Sequence, residues 1–245
     1  MNKLTLLLLS SVLITTASQA STSFSGFYMG GHLGWVQKHD KFMVRENKFT
    51  HPRDHDVQIT LHGIKSNKKT NGLGYGIFVG YGKDCQGLYL GAEVSIENDT
   101  ASKNTYHTPN APVADDGIPP AGTGTATIHM KYERGVVIGL APRVGVIVSN
   151  SNLFYARLGI EYSRDKMRGV YRVQIEEADY REEIPKDRPC RHITMAPGIG
   201  YERAFGKVLT RLEYSYNMGK KIIIDGKNSV RYTSHAVKLG LIYKF

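Results

Sequence analysis

Long apolar runs are missing from this 245-residue chain once its first twenty residues are passed. A spanning helix needs about 20 consecutive apolar residues, so nothing after Ala20 can cross a bilayer in that form. Cysteine is scarce as well, with Cys85 and Cys190 alone. An oxidising compartment would permit their pairing, but the strand order developed below sets them at opposite ends of the fold, and no intrachain disulfide is expected. Acidic residues are the minority charge, 22 against 32 Lys and Arg, for a formal net charge of +10. Nucleic acid is not the expected partner. The positive charge is spread through polar connections instead of being interleaved with aromatics on one sheet face, and the N-terminus directs export.

That N-terminus, residues 1–20, has Lys3 as a positive start, an apolar stretch through Leu6 to Leu9 and Val12 to Ile14, and Ser18-Gln19-Ala20 as a small-residue cleavage site. The order is that of a cleaved secretory signal. Ser10, Ser11, Thr15 and Thr16 interrupt the run before it reaches the length of an anchor. Residues 21–245 then make one domain. If they enter a membrane they must do so as a closed barrel, because only helices and barrels satisfy every backbone group in lipid.

Apolar residues are present, but at every second position. In the last segment Val237, Leu239, Leu241, Tyr243 and Phe245 share one face, and Ala236, Lys238, Gly240, Ile242 and Lys244 the other. The same period marks Phe27, Met29, Leu33 and Trp35; Leu73, Tyr75, Ile77, Val79 and Tyr81; Leu88, Leu90, Ala92, Val94 and Ile96; and Val136, Ile138, Leu140, Pro142, Val144, Val146 and Val148. Pro142 is a flaw in its strand, since proline gives no ladder donor. Three more segments follow: Phe154 to Tyr162, Ile193 to Tyr201, and Leu212 with Tyr214 and Tyr216.

These segments predict an all-β fold, an eight-stranded antiparallel up-and-down transmembrane barrel. Links at 82–87, 149–152 and 205–207 are tight, whereas 38–71, 98–134, 164–191 and 217–234 are long and polar. Outer-membrane barrels pair short periplasmic turns with longer extracellular loops, so both termini are expected in the periplasm. A barrel of eight strands has an interior that side chains just fill. Glu93, Arg143, Arg157, Glu161, Glu202, Arg211, Glu213 and Lys238 all fall on the non-apolar face and form a sign-balanced lumen network. Lys238 is expected to reach Glu213 on the neighbouring strand or Glu93 across the lumen. Shifting the fifth strand by one residue would drive Arg157 into lipid at about 2–4 kcal/mol near the midplane.

The stretch from Gly26 to Trp35, Gly-Phe-Tyr-Met-Gly-Gly-His-Leu-Gly-Trp, resembles the opening strand of small bacterial outer-membrane barrels of the opacity-protein and porin-like surface-antigen family, the eight-stranded OmpA/OmpX type. Gly87-Leu88-Tyr89-Leu90-Gly91-Ala92-Glu93 and Leu153-Phe154-Tyr155-Ala156-Arg157-Leu158-Gly159 resemble its third and fifth strands, and the aromatic end at Phe245 its closing strand. The resemblance spans the whole chain after residue 20. It implies a structural, adhesive or antigenic surface protein, with Leu241, Tyr243 and Phe245 as an assembly signal for the barrel-assembly machinery. No cell-wall-binding domain is expected after the barrel.

Lys41, Arg45, Lys48, Arg53, Lys65, Lys68 and Lys69 concentrate positive charge in the first long connection. At the outer rim they would draw lipopolysaccharide phosphates or host surface glycans and proteins through long-range electrostatics, or simply be hydrated. His39, His51, His55 and His62 lie in the same connection, but Pro52 opposes the helix that would align His51 with His55, and no metal site or cofactor is expected. Catalysis is not expected either. Ser234 and His235 are adjacent and therefore point to opposite faces of a strand, and Asp115-Asp116 has no visible partner. A narrow solute channel remains the alternative function, and a barrel enzyme acting on lipid A or peptides the third.

Overall fold

Alternating side chains along the chain become strand almost everywhere. The computed structural model describes the backbone of residues 23–44, 47–50, 58–61, 64–115, 123–175, 178–223 and 229–245, and the side chains of 23–41, 43, 67, 69–101, 134–166, 191–221, 229 and 231–245. The expected signal, residues 1–20, lies outside them. The strands are β1 (Gly26–Val44), β2 (Asn47–Thr50), β3 (Gln58–Leu61), β4 (Ile64–Cys85), β5 (Leu88–Asp99), β6 (Lys103–Asp115), β7 (Thr123–Glu133), β8 (Val137–Val148), β9 (Asn152–Ile175), β10 (Ala178–Phe205), β11 (Val208–Asn217), β12 (Lys221–Ile223) and β13 (Ser229–Lys244).

Eight of these close into an antiparallel ring in the order β1, β4, β5, β8, β9, β10, β11, β13 and back to β1. The last strand pairs with the first, setting Met29 opposite Tyr243 and Leu33 opposite Leu239. Closure abolishes both sheet edges within the barrel. The outer wall is apolar: Leu33, Ile77, Ile199, Leu239 and Leu241 are each 62–69% exposed. Such a continuous belt suits hydrocarbon as its solvent, with Phe27, Tyr81, Phe205 and Tyr243 near one end and Trp35, Tyr214 and Tyr216 towards the other.

Pro142 sits on the outer face and still pairs with Ala92 of β5. On its other side the β8–β9 ladder lapses at Ala141 and Pro142 and resumes in the same register at Arg143 opposite Arg157. The missing donor interrupts the pairing without shifting it. The three tight links are hairpin turns. Gln86 and Gly87 have φ of 59° and 92°, Ser149 and Asn150 of 53° and 54°, and Gly206 of 65°. Positive φ at these positions matches the right-handed twist of the flanking strands.

The long connections remain the long ones, but much of their length is itself β-structure. β9 pairs with β8 as far as Ser163 and continues for twelve further residues, paired with β10 as far as Ile175 opposite Ala178. At about 3.3 Å per residue, that extension is roughly as long as the membrane-crossing part. β7, β6, β3 and β2 add to it in that order. Apolar alternation is shorter there and broken by charges, as in Tyr171, Val173 and Ile175 of β9 and Ile128, Met130 and Tyr132 of β7.

Candidate functional site

Inside the barrel, parity selects which residues meet and stagger between strands selects how. The end bearing the tight turns is packed with Phe24, Tyr28, Phe78, Tyr89, Leu153, Tyr155, Leu209 and Ile242. Small residues make room for the rings: a Cβ at Gly30 would stand 2.6 Å from Phe78, and one at Gly200 would overlap the Tyr155 ring.

Above this plug lies the charged layer. Arg211 donates from Nη2 to Glu93 at 2.7 Å and from Nε to Glu202 at 2.9 Å. Arg143 contacts Glu202 and donates to the Tyr28 hydroxyl at 2.9 Å. Its guanidinium lies 3.7 Å from the centre of the Tyr155 ring, and that of Arg211 lies 4.2 Å from Phe78, so the two cations rest on aromatic faces. Glu213 accepts from Arg157 at 2.6 Å and from the Tyr155 hydroxyl at 2.7 Å. All eight lumen residues named from the sequence are buried. The structure joins Glu93, Arg143, Glu202 and Arg211 in one group and Arg157, Glu213 and Lys238 in another.

Lys238 reaches Glu213 on the neighbouring strand as expected, at 3.9 Å, but its shorter contact is to Glu97 at 2.7 Å, and Glu93 is engaged by the two arginines. Glu97 shares the inward face of β5 with Glu93. Glu161 leaves the central groups: it accepts from Arg134 at 3.0 Å and from Asn217 at 2.7 Å, further from the plug.

A further tier was not legible in the sequence. Lys38 binds Asp99 at 2.7 Å. Asp165 reaches His192 Nε2 at 3.0 Å, and the same nitrogen meets Ser163 at 3.1 Å and the Tyr232 hydroxyl. The signals available were the even spacing of Ser163 and Asp165 and the register opposing Ser163 to His192. Because Ser163 and Asp165 share one imidazole nitrogen, His192 cannot relay a proton from one to the other. Ser234 is buried in the lumen, while His235 faces outward and accepts or donates to the Tyr214 hydroxyl at 2.7 Å.

Among the described residues, the lumen cavities are small. A cavity of about 40 Å³ lies among His32, Glu97, Asp99, Arg134, Glu161 and Lys238, and one of about 10 Å³ lies beside Tyr28 and Tyr89. The larger admits a few water molecules. Fixed, paired charges around so little volume can hold strands in register and exclude solute.

Of the cationic connection, Lys41 and Lys69 are exposed on the outer wall. Arg45 and Arg53 and the side chains of Lys48, Lys65 and Lys68 lie outside the described residues, as do His51, His55, His62, Asp116 and the side chain of Cys190. Cys85 is an exposed free thiol beside the first tight turn. His39 contacts Gln37 at 3.2 Å and lies edge-on to the His235 ring. Leu241, Tyr243 and Phe245 face outward, and the Phe245 amide donates to Phe27 O at 3.1 Å.

The family model described as "Outer membrane protein beta-barrel domain" matches residues 5–245. Among solved structures the chain is similar to Neisserial surface protein A at 15% identity, covering 90% of this chain and 98% of that one with a TM-score of 0.41. It is similar to Ail, the attachment invasion locus protein of Yersinia pestis, at 10% identity, 89% and 99% coverage and a TM-score of 0.38. The outer membrane protease OmpT of Escherichia coli matches at 8% identity, 94% and 100% coverage and a TM-score of 0.43. No curated protein matches the sequence.

Proposed function

Because the chain belongs to the outer membrane protein β-barrel family and resides in the outer membrane, we propose that it works by display: a sealed barrel holding a strand-built head at the cell surface in a structural, adhesive or antigenic role. The filled lumen carries this reading. An aromatic plug, a charge layer with its guanidinium groups stacked on the plug, and a cavity of about 40 Å³ argue against a solute path. The extension of β9 and β10, with β7 and β6 beside them, supplies the displayed surface. Short turns on the periplasmic side and extended strands outside are the usual arrangement of such barrels, which supports a periplasmic position for both termini. The basic residues of the first connection suit polyanionic glycans or acidic host proteins as partners.

Planar-bilayer recordings of the purified, folded protein test the seal: the expected record is silent, and stable unit conductance steps would establish the narrow channel instead. Orientation is tested through Cys85 in a Cys190→Ser background. A membrane-impermeant maleimide should label it only after the outer membrane is opened, and labelling in intact cells would reverse the assignment. Retention on immobilised heparin should fall with added salt; no salt-dependent retention removes the glycan partner. Catalysis by the barrel wall would be established by lipid A deacylation or peptide cleavage that is lost in Ser234→Ala or His235→Ala.

A further inference from the structure

Beyond the lumen, one row of charges on the outer wall lacks a structural explanation. Lys41 of β1 stands directly opposite Arg231 of β13, and Arg231 directly opposite Lys221 of β12. All three are exposed. Lys69 of β4, also exposed, sits opposite His39 and so lies diagonal to Lys41. Outward neighbours on these strands, Gln37, Asn71, Thr233 and His235, bring no carboxylate, and among the described residues none of the four cations is ion-paired. Like charges set directly opposite each other in a ladder destabilise it. Two such juxtapositions side by side, open to the outside, are a site prepared for an anion.

Position chooses the anion. The row stands on the same strand faces as the apolar belt, six residues beyond Trp35 along β1 and six before Val237 along β13. With strands tilted 35–45°, six residues lift the cations about 15 Å above Trp35, on the polar side of the apolar belt. Tyr214, Tyr216 and the His39–His235 pair fill the interval. An occupant reaching these amines along the wall must carry phosphate above and acyl chains below.

We propose that Lys41, Arg231, Lys221 and Lys69 form an exterior binding site for the phosphate groups of an outer-leaflet glycolipid. The site fixes a lipid against the β12–β13–β1–β4 wall and cancels the repulsion within the row. It rests on the surface-facing orientation proposed above, but binding in detergent has no sidedness, so its test fails or succeeds independently of that orientation.

The test is a thermal-unfolding titration of folded protein in non-ionic micelles with diphosphorylated lipid A, and with lipid A of the same acyl chains stripped of phosphate. Diphosphorylated lipid should raise the midpoint by several degrees and the stripped lipid should not. The triple variant Lys41→Gln, Lys221→Gln, Arg231→Gln should lose most of that rise, while its own lipid-free midpoint equals or exceeds that of the parent because the repulsion is gone. Lys83→Gln, exposed at the opposite end of the barrel, should respond like the parent. Equal rises with both lipids, or an undiminished rise in the triple variant, would overturn the proposal. So would a triple variant that loses heparin retention yet keeps its response to lipid.

Discussion

Arg211 and Glu93 are joined at 2.7 Å across the lumen, from β11 and β5, two staves that share no ladder. Both are buried, and each has a second partner, Glu202 for Arg211 and Arg143 for Glu93. Removing one member leaves the other charged in a closed interior, which costs about 3–5 kcal/mol, whereas removing both costs much less. Glu93→Gln and Arg211→Met should each lower the denaturant midpoint of the folded barrel, and the double variant should fall well short of their sum. Additive losses in a double-mutant cycle would show that the pair is not coupled.

Gln86 offers the opposite direction. Its φ of 59° is a left-handed conformation that costs a side chain about 1–2 kcal/mol, and glycine avoids that cost while losing more freedom on folding. Gln86→Gly should stabilise the barrel by about 0.5–1 kcal/mol. Guanidinium unfolding in micelles measures it, and a lowered midpoint would mean that the Gln86 side chain makes a contact worth more than the strain.

Parity along a strand was legible because it needs only a period of two, and the lipid face from Phe27 to Phe245 follows from it. Parity also sent Glu93, Arg143 and Arg211 inward. It could not give height. Which residues share a level depends on the stagger of all eight strands around the ring, and for that reason Lys238 meets Glu97 instead of Glu93. Asp165 and His192 were hidden for another reason. They lie where the apolar alternation is broken by charges, and a broken period leaves little trace in hydropathy.

Leu158 tests where the hydrocarbon belt lies. It is on the outer face of β9, between Ala156 and Ile160, while Arg157 and Gly159 point inward. Leu158→Lys should cost about 2–4 kcal/mol in lipid vesicles, and Val148→Lys, at the tight turn, about 0–1. Equal costs at the two sites would show that Leu158 is not near the bilayer midplane.

Phe245 joins the two ends of the sheet. Its amide donates to Phe27 O, just past the last β13–β1 pair, and its ring meets Tyr243 edge-on at 5.6 Å between centroids. Losing one exposed ring and one hydrogen bond at the rim should cost the finished barrel only about 1 kcal/mol, so refolding into micelles should survive its deletion. Assembly in the cell makes a different demand, because an unclosed sheet exposes two edges until β13 finds β1. A chain lacking Phe245 should therefore refold in vitro with a nearly normal midpoint yet reach the outer membrane at a reduced level, measured by heat-modifiable migration of membrane fractions. Normal outer-membrane levels would remove the assembly role from Phe245, and failure in vitro as well would make its role one of plain stability.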